Sequence, residues 1–287
     1  WFYPVIAQST ALTDRPAFRN VFSYALMRDE KGEEMHKSKG NAIWFDEAAE
    51  ISGVDVMRWL YTSVNPSHNL NFGYRVLDDI RRRFILPLWN SYAFFVTYAR
   101  LDGFDPSAPE SHVDLADRTL LDRWIVSRLN QVIDEVREAL LTYRPEVAAQ
   151  TLESFVVDEL SNWYIRRNRR RFWKSEADRD KAAAYRTLYD VLTTTTRLLA
   201  PFIPFLADEM YRNLVAENDR DAPPSVHLTD FPESDSRQID EQLSSEMAVA
   251  MAVVALGRSA RSEANLKVRQ PLAKMLVYTR NPRDFDA

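Results

Sequence analysis

The sequence predicts a mainly α-helical chain, and three observations carry that reading. Glycine is scarce, six residues in 287 against fourteen prolines, and helices exclude glycine while turn-rich sheets use it. Apolar residues recur at intervals of three and four over long stretches between residues 77 and 199, the spacing of one buried helix face. The breaks between those stretches are short and marked by proline, the pattern of an antiparallel bundle.

Taken in order, residues 1–30 are apolar and aromatic with mixed periodicity. Val21-Phe22-Ser23-Tyr24-Ala25-Leu26-Met27 is β-prone and is expected as a buried strand. Asp29-Glu30-Lys31-Gly32 follows as a turn, and residues 34–41 as a polar loop. Asp46 is expected to cap a helix that Gly53 stops, and Asp55 to cap a second one carrying Val56, Trp59 and Leu60. Leu77, Ile80, Phe84, Leu88, Tyr92, Phe95 and Tyr98 keep a helical spacing, which Pro87 should kink or break. Residues 102–118 are a loop. Leu121, Trp124, Ile125, Leu129, Val132, Val136 and Leu140 form the clearest single stripe in the chain. Further helices are expected over 146–174, 178–199 and a short stretch after Pro204. Residues 217–240 read as an acidic, proline-bearing linker. A helix over 241–264 and a strand at Met275-Leu276-Val277-Tyr278 read as the start of a small α/β segment spanning 241–287.

Composition removes several functions. With 46% hydrophobic and 28% charged residues the chain has enough apolar side chains to build a core and is not a disordered tract. It has no cysteine, which excludes a disulfide framework, a thiolate zinc site and a thiol nucleophile. The glycines have neither dinucleotide-loop nor Walker spacing, and the four histidines form no HExxH pair. No apolar run approaches about 18–20 residues, so no membrane span is expected. The chain opens at Trp1 without a signal-peptide layout and reads as a piece of something longer. The 37 basic and 42 acidic residues leave a formal charge of −5, which by itself argues against a nucleic-acid partner.

Two local features argue otherwise. The first is Glu34-Met35-His36-Lys37-Ser38-Lys39-Gly40-Asn41. A mobile lysine charge, a hydroxyl and a glycine backbone open to close approach suit an anionic ligand; on composition alone a solvated basic turn fits as well. The second is Asn162-Trp163-Tyr164-Ile165-Arg166-Arg167-Asn168-Arg169-Arg170-Arg171-Phe172-Trp173-Lys174. Arginine makes bidentate phosphate contacts and stacks on bases, and aromatics add stacking platforms. On a regular helix Trp163, Arg166, Arg167, Arg170 and Lys174 share a face. The competing reading is a cationic face neutralised by acids of neighbouring helices, with Trp163 and Phe172 in the core. Asp78-Asp79 and Asp158-Glu159 read as ion-pair partners rather than catalytic carboxylates.

Together these pieces resemble a known family. Residues 34–41 resemble the KMSKS signature loop of class I aminoacyl-tRNA synthetases. Leu86-Pro87-Leu88-Trp89-Asn90, Leu121-Asp122-Arg123-Trp124-Ile125 and Asn162-Trp163-Tyr164-Ile165-Arg166-Arg167 are similar to the anticodon-binding domain of the isoleucyl-tRNA synthetases. Val268-Arg269-Gln270-Pro271-Leu272 resembles a segment just beyond it, and the Trp1-Phe2 start the late part of the catalytic domain.

The resemblance implies that residues 1–74 end a Rossmann-type catalytic domain, that 75–216 form the anticodon-binding domain, and that the full protein is a cytoplasmic ligase for isoleucine, ATP and tRNA. The isoleucine carboxylate attacks the ATP α-phosphate and pyrophosphate leaves with Mg²⁺. Lys37, with Ser38 secondary, is the implied catalytic group; Met35, His36, Lys37, Ser38, Gly40 and Asn41 are the implied nucleotide contacts. Trp163, Arg166, Arg167, Arg170, Arg171 and Lys174 are the implied tRNA contacts. Any zinc would lie outside these residues, and the chain alone is expected not to activate isoleucine. The loop departs from the family at Glu34, where a lysine is usual, and at His36, where a serine is usual. A valine or leucine enzyme, or a non-enzymatic helical RNA-binding or scaffold module, remains an alternative reading.

Overall fold

A computed structural model describes residues 2–174 and 178–278; Trp1 and the last nine residues lie outside the described residues. Helix α1 (Phe2–Thr13) buries none of its residues. The expected strand over 21–27 is reduced to β1 (Met27–Arg28), which pairs in parallel with β2 (Leu70–Asn71) in the register Met27 to Leu70 and Arg28 to Asn71. Val21, Phe22, Tyr24 and Leu26 are exposed rather than buried. A strand is buried only when sheet neighbours and a covering layer flank it, and among the described residues β1 has one partner strand and a lone antiparallel bridge from Arg28 to Glu34.

Parallel strands require a long crossover. Here it spans residues 29–69 and holds the polar loop, α2 (Phe45–Ser52) and α3 (Val54–Ser63). Gly53, at φ 85°, ends α2 as expected. The two expected aspartate caps are corrected: Trp44 and Gly53 occupy the N-cap positions, and Asp46 and Asp55 fall in the first turns. Asp55 caps a different helix, accepting from the amides of Phe205 and Leu206 at 3.4 and 2.6 Å.

The bundle follows. Helix α4 (Tyr74–Ile80) runs through a π-helical stretch, Arg81–Ile85, into α5 (Leu86–Asp102). The wide turn ends just before Pro87, so the proline resets hydrogen-bond register without ending the helix. Helix α6 (Leu120–Leu141) opens on a capping box between Thr119 and Asp122. The expected helix over 146–174 is α7 (Pro145–Ser154), a π-helical stretch Phe155–Ile165, and α8 (Arg166–Trp173). Helices α9 (Arg179–Leu199) and α10 (Pro204–Tyr211) follow.

One continuous core joins these elements to α3. Trp59 is fully buried and stacks on Phe84 at 3.7 Å between centroids, and Phe172 meets Tyr185 edge-on at 5.0 Å. Residues 217–240 lie against the bundle: Val226 is buried, Ser225 donates to Asp208 at 2.6 Å, and the Arg197 side chain donates to the Asp230 carbonyl at 2.5 Å.

Helix α11 (Glu241–Glu263) is long enough, and on average apolar enough, to match a bilayer's thickness, although it holds no continuous apolar run of that length. Its first half instead seats on the bundle, with Leu243 and Met247 buried and Ser244 bonded to Ser127 at 3.2 Å. The strand expected at residues 275–278 does not form; these residues are exposed and pair with nothing among the described residues.

Candidate ligand-binding sites

The polar loop is fastened at its base. Asp29 accepts from the amides of Lys31 and Glu33 through one oxygen, each at 2.9 Å, and from Asn41 Nδ2 through the other, also at 2.9 Å. Asn41 donates as well to the Glu34 carbonyl at 3.1 Å, while its Oδ1 accepts the His36 amide at 2.9 Å. These bonds, the one from Asn41 foremost, hold the Asp29 carboxyl below its ordinary range. The neighbouring Glu30 accepts the Arg75 amide at 2.7 Å, which ties the same turn to α4.

Above this base Lys37–Lys39 form one 3₁₀ turn, and Gly40 at φ 69° reverses the chain. His36, Lys37, Ser38, Lys39 and Gly40 are all exposed. Met35 turns inward against the core, so its side chain roots the loop. Asn41 likewise spends its side chain on the loop itself. The Lys37 ammonium rests over the Trp44 ring, 4.4 Å from its centroid, a hold of about 0.5–1 kcal/mol at an exposed site that a phosphate can outcompete. Glu34, which stands where the family motif has lysine, faces His36 Nε2 at 3.5 Å and Arg28 Nη2 at 4.0 Å.

An exposed lysine, a hydroxyl and an uncovered glycine backbone fit a nucleotide phosphate. They build no all-protein cage for Mg²⁺, an ion ordinarily carried by nucleotide phosphates with one or two carboxylates. Among the described residues no three His, Asp or Glu side chains converge on a common point, and the two nearest acids are engaged by Asn41 and by His36 with Arg28.

The arginine run divides in two. Arg171 grips Asp122 with both arms, Nη1 and Nη2 each at 2.8 Å from a carboxylate oxygen, and reaches Asp180 at 2.8 Å. Lys174 pairs with Asp178 and Asp180 at 2.6 and 3.0 Å. Burial alone would weaken the Arg171 charge, but Asp122 and Asp180 carry its pKa above the ordinary arginine range. These two cations therefore brace α8 against α6 and α9, a supporting role that the sequence reading of them as tRNA contacts did not include. The acids that neutralise them are Asp122, Asp178 and Asp180.

Arg166, Arg167, Arg169 and Arg170 are exposed and make no ion pair among the described residues. Trp163 is buried. It donates its indole N–H toward Met247 Sδ at 3.2 Å, and the Arg167 guanidinium lies over its ring at 3.1 Å. It acts as a platform beneath Arg167 and offers no open face to a base. Three of the four paired carboxylates behave as expected: Asp78 and Asp79 bond Arg81 and Arg82 at 3.0 and 2.8 Å, and Glu159 bonds Arg128 at 3.0 Å, while Asp158 accepts from Ser154 at 3.4 Å and makes no ion pair among the described residues. Trp44 and Asp29 escaped the sequence reading. An aromatic seven residues beyond a candidate lysine, and an aspartate three before a glycine, are too common to single out.

This geometry agrees with the comparisons. Residues 122–276 match the family described as the anticodon-binding domain of tRNA ligase, and residues 1–73 match class I tRNA synthetases (I, L, M and V). The chain belongs to this family of tRNA ligases. Among its relatives, the isoleucine–tRNA ligase of Dehalococcoides mccartyi is 48% identical over 278 residues, which are 96% of this chain and 27% of that protein. Those of Clostridium novyi and Thermus thermophilus are 44% and 43% identical, over 99% and 96% of this chain and 27% and 26% of theirs. The chain thus spans about a quarter of the length of the curated relatives it matches.

Two solved structures share the fold. The ternary complex of Agrobacterium radiobacter LeuRS with tRNA and LeuAMS aligns with a TM-score of 0.63 at 16% identity, covering 83% of this chain and 27% of that one. Mycobacterium tuberculosis methionyl-tRNA synthetase, in complex with methionyl-adenylate, aligns at 0.54 and 20%, covering 72% and 43%.

Proposed function

We propose that this chain is part of a cytoplasmic isoleucine–tRNA ligase. It would supply the loop that closes on ATP during amino-acid activation and the helical surface that holds the tRNA. The observation that carries this reading is the 48% identity to an isoleucine–tRNA ligase across 96% of the chain; the leucine and methionine enzymes align at 16% and 20%.

In the activation step an isoleucine carboxylate oxygen bonds to the ATP α-phosphorus as the bond to the bridging oxygen breaks, and the electron pair leaves on pyrophosphate. Lys37 leaves Trp44 to meet the charge that grows on the departing phosphates, while Ser38 and the Gly40 backbone contact the same group. Magnesium, where it enters, arrives on the nucleotide. Arg166, Arg167 and Arg170 contact tRNA phosphates, Trp163 supports Arg167, and Arg171 and Lys174 hold α8 in place.

The test is ATP–pyrophosphate exchange by the intact protein. Exchange should depend on isoleucine, and Lys37→Ala should lower its rate by about 10²–10³-fold, the effect of removing one such stabilising group. Exchange that depends on valine or leucine would overturn the amino-acid assignment, and an unaffected Lys37→Ala the role of the loop.

A further inference from the structure

We propose that the RNA-binding surface is a composite ridge of α8 and α11, with Arg258 as its outlying cation and the sugar–phosphate backbone of RNA as its partner. The proposal rests on the tRNA reading above and extends it to a helix and a residue that reading leaves out.

Helix α11 is seated by one face. Met247 meets Trp163, and Met251 and Val254 continue the same contact against the core. The spacing 247, 251, 254, 258 is that of a single helical stripe, so Arg258 is the next position on the seated face. Arg258 is exposed, however, because the apolar contact ends at Val254. Trp163 is also the platform for Arg167. One indole therefore joins α11 to the turn that leads into α8, and Arg258 lies on the same stripe about three helical turns beyond that contact.

The charges confirm the crowding. The Arg167 guanidinium is held below the ordinary arginine range, first by burial and then by the positive charges of Arg258 and Arg166. None of the three makes an ion pair among the described residues, although acids make up 42 of the 287 residues. Elsewhere on this surface arginines do find carboxylates, as Arg171, Arg128 and Arg186 do. Three like charges in mutual repulsion oppose folding, and a polyanion relieves that repulsion by supplying the missing counter-charge. The guanidinium suits phosphate oxygens in a bidentate grip, and the exposed Trp173 further along α8 adds a stacking surface of the kind RNA uses.

The experiment measures two quantities on the intact protein: binding of an unmodified isoleucine-accepting tRNA transcript across a salt series, and the thermal midpoint without RNA. The variants are Arg258→Gln, Arg258→Glu and the paired reversal of Arg166 and Arg167. For Arg258→Gln the slope of log affinity against log salt should fall by about one, with the midpoint unchanged or raised because Arg167 loses a repelling neighbour. Arg258→Glu should weaken binding further.

A slope unchanged by both Arg258 variants, while the Arg166 and Arg167 reversal weakens binding, would confine the surface to α8 and overturn the proposal. A lowered midpoint in both variants would make Arg258 a structural residue and overturn it too. If the α8 reversal is also silent, the tRNA reading itself fails and the composite ridge with it.

Discussion

Arg171 and Asp122 form a two-armed ion pair, both bonds 2.8 Å long, and the Asp122 carboxylate is fully buried at 0% exposure. Tyr164 donates to the same carboxylate at 2.6 Å and Thr119 at 2.8 Å. Four groups from the α6 N-terminus, the π-helical stretch and α8 thus share one charge. Removing the cation from such a site strands the anion, at a cost of about 3–5 kcal/mol. Arg171→Met should therefore lose stability of that order in urea denaturation. Arg170→Met, one residue away and exposed, should stay within about 0.5 kcal/mol of the parent while weakening tRNA binding.

Acid should act through a second pair, made by the buried Lys181 and the solvent-accessible Asp102. Lys181 Nζ lies 2.6 Å from Asp102, and Tyr185 donates to the same carboxylate. Burial alone would raise the Asp102 pKa, but the bonds from Lys181 and Tyr185 outweigh it and leave the pKa lowered. A lowered folded-state pKa stabilises above the unfolded value of about 3.9, and that contribution disappears as pH falls through the folded value. Urea midpoints measured from pH 7 to pH 2 should show the parent more stable than Asp102→Asn above pH 4, with the gap closing below it. A gap that widens in acid would show that Asp102 is not stabilised as its anion.

The base of the polar loop offers a test that leaves Lys37 in place. Asn41→Ala removes the bonds to Asp29, the Glu34 carbonyl and the His36 amide. All three lie at a half-exposed surface, so the thermal midpoint should change little. The arch should lose its fixed geometry, and ATP–pyrophosphate exchange should fall by at least about ten-fold, the rate equivalent of roughly 1.4 kcal/mol in the barrier. Full exchange in Asn41→Ala would show that the loop needs no fastening there.

Asp55 provides a prediction about architecture. Its carboxylate satisfies two amides at the start of α10, so Asp55→Ala should cost about 0.5–2 kcal/mol, the range for a lost helix cap. Asp46→Ala, which caps nothing, should be near neutral in the same denaturation experiment.

The helices were legible because their signals are local. The stripe from Leu121 to Leu140 lies in one helix, with Trp124, Ile125, Leu129, Val132 and Val136 buried. The loop was legible through its residue types. What escaped depends on neighbours far away in the chain. Nothing near Asp55 reveals that it caps residues 150 positions on. Nothing near Arg171 reveals Asp122, and that pairing separates the supporting cations of α8 from the exposed ones. The strands at 21–27 and 275–278 failed for the same reason, since a β-prone run forms a buried strand only where partners exist. The π-helical stretch Phe155–Ile165 also lay beyond a 3.6-residue rule, so face assignments carried through Trp163 could not hold in detail.

The two family matches leave residues 74–121 between them, yet the hydrophobic core does not pause there. Trp59, from the crossover that also bears the polar loop, stacks on Phe84 and donates to Glu153 at 3.1 Å. Arg58 beside it bonds the carbonyls of Pro201 and Phe202 at 2.8 and 3.2 Å. The segment that bears the polar loop and the helical bundle have no seam to part along, because separating them means pulling an indole from a filled socket. Melting should be cooperative across both.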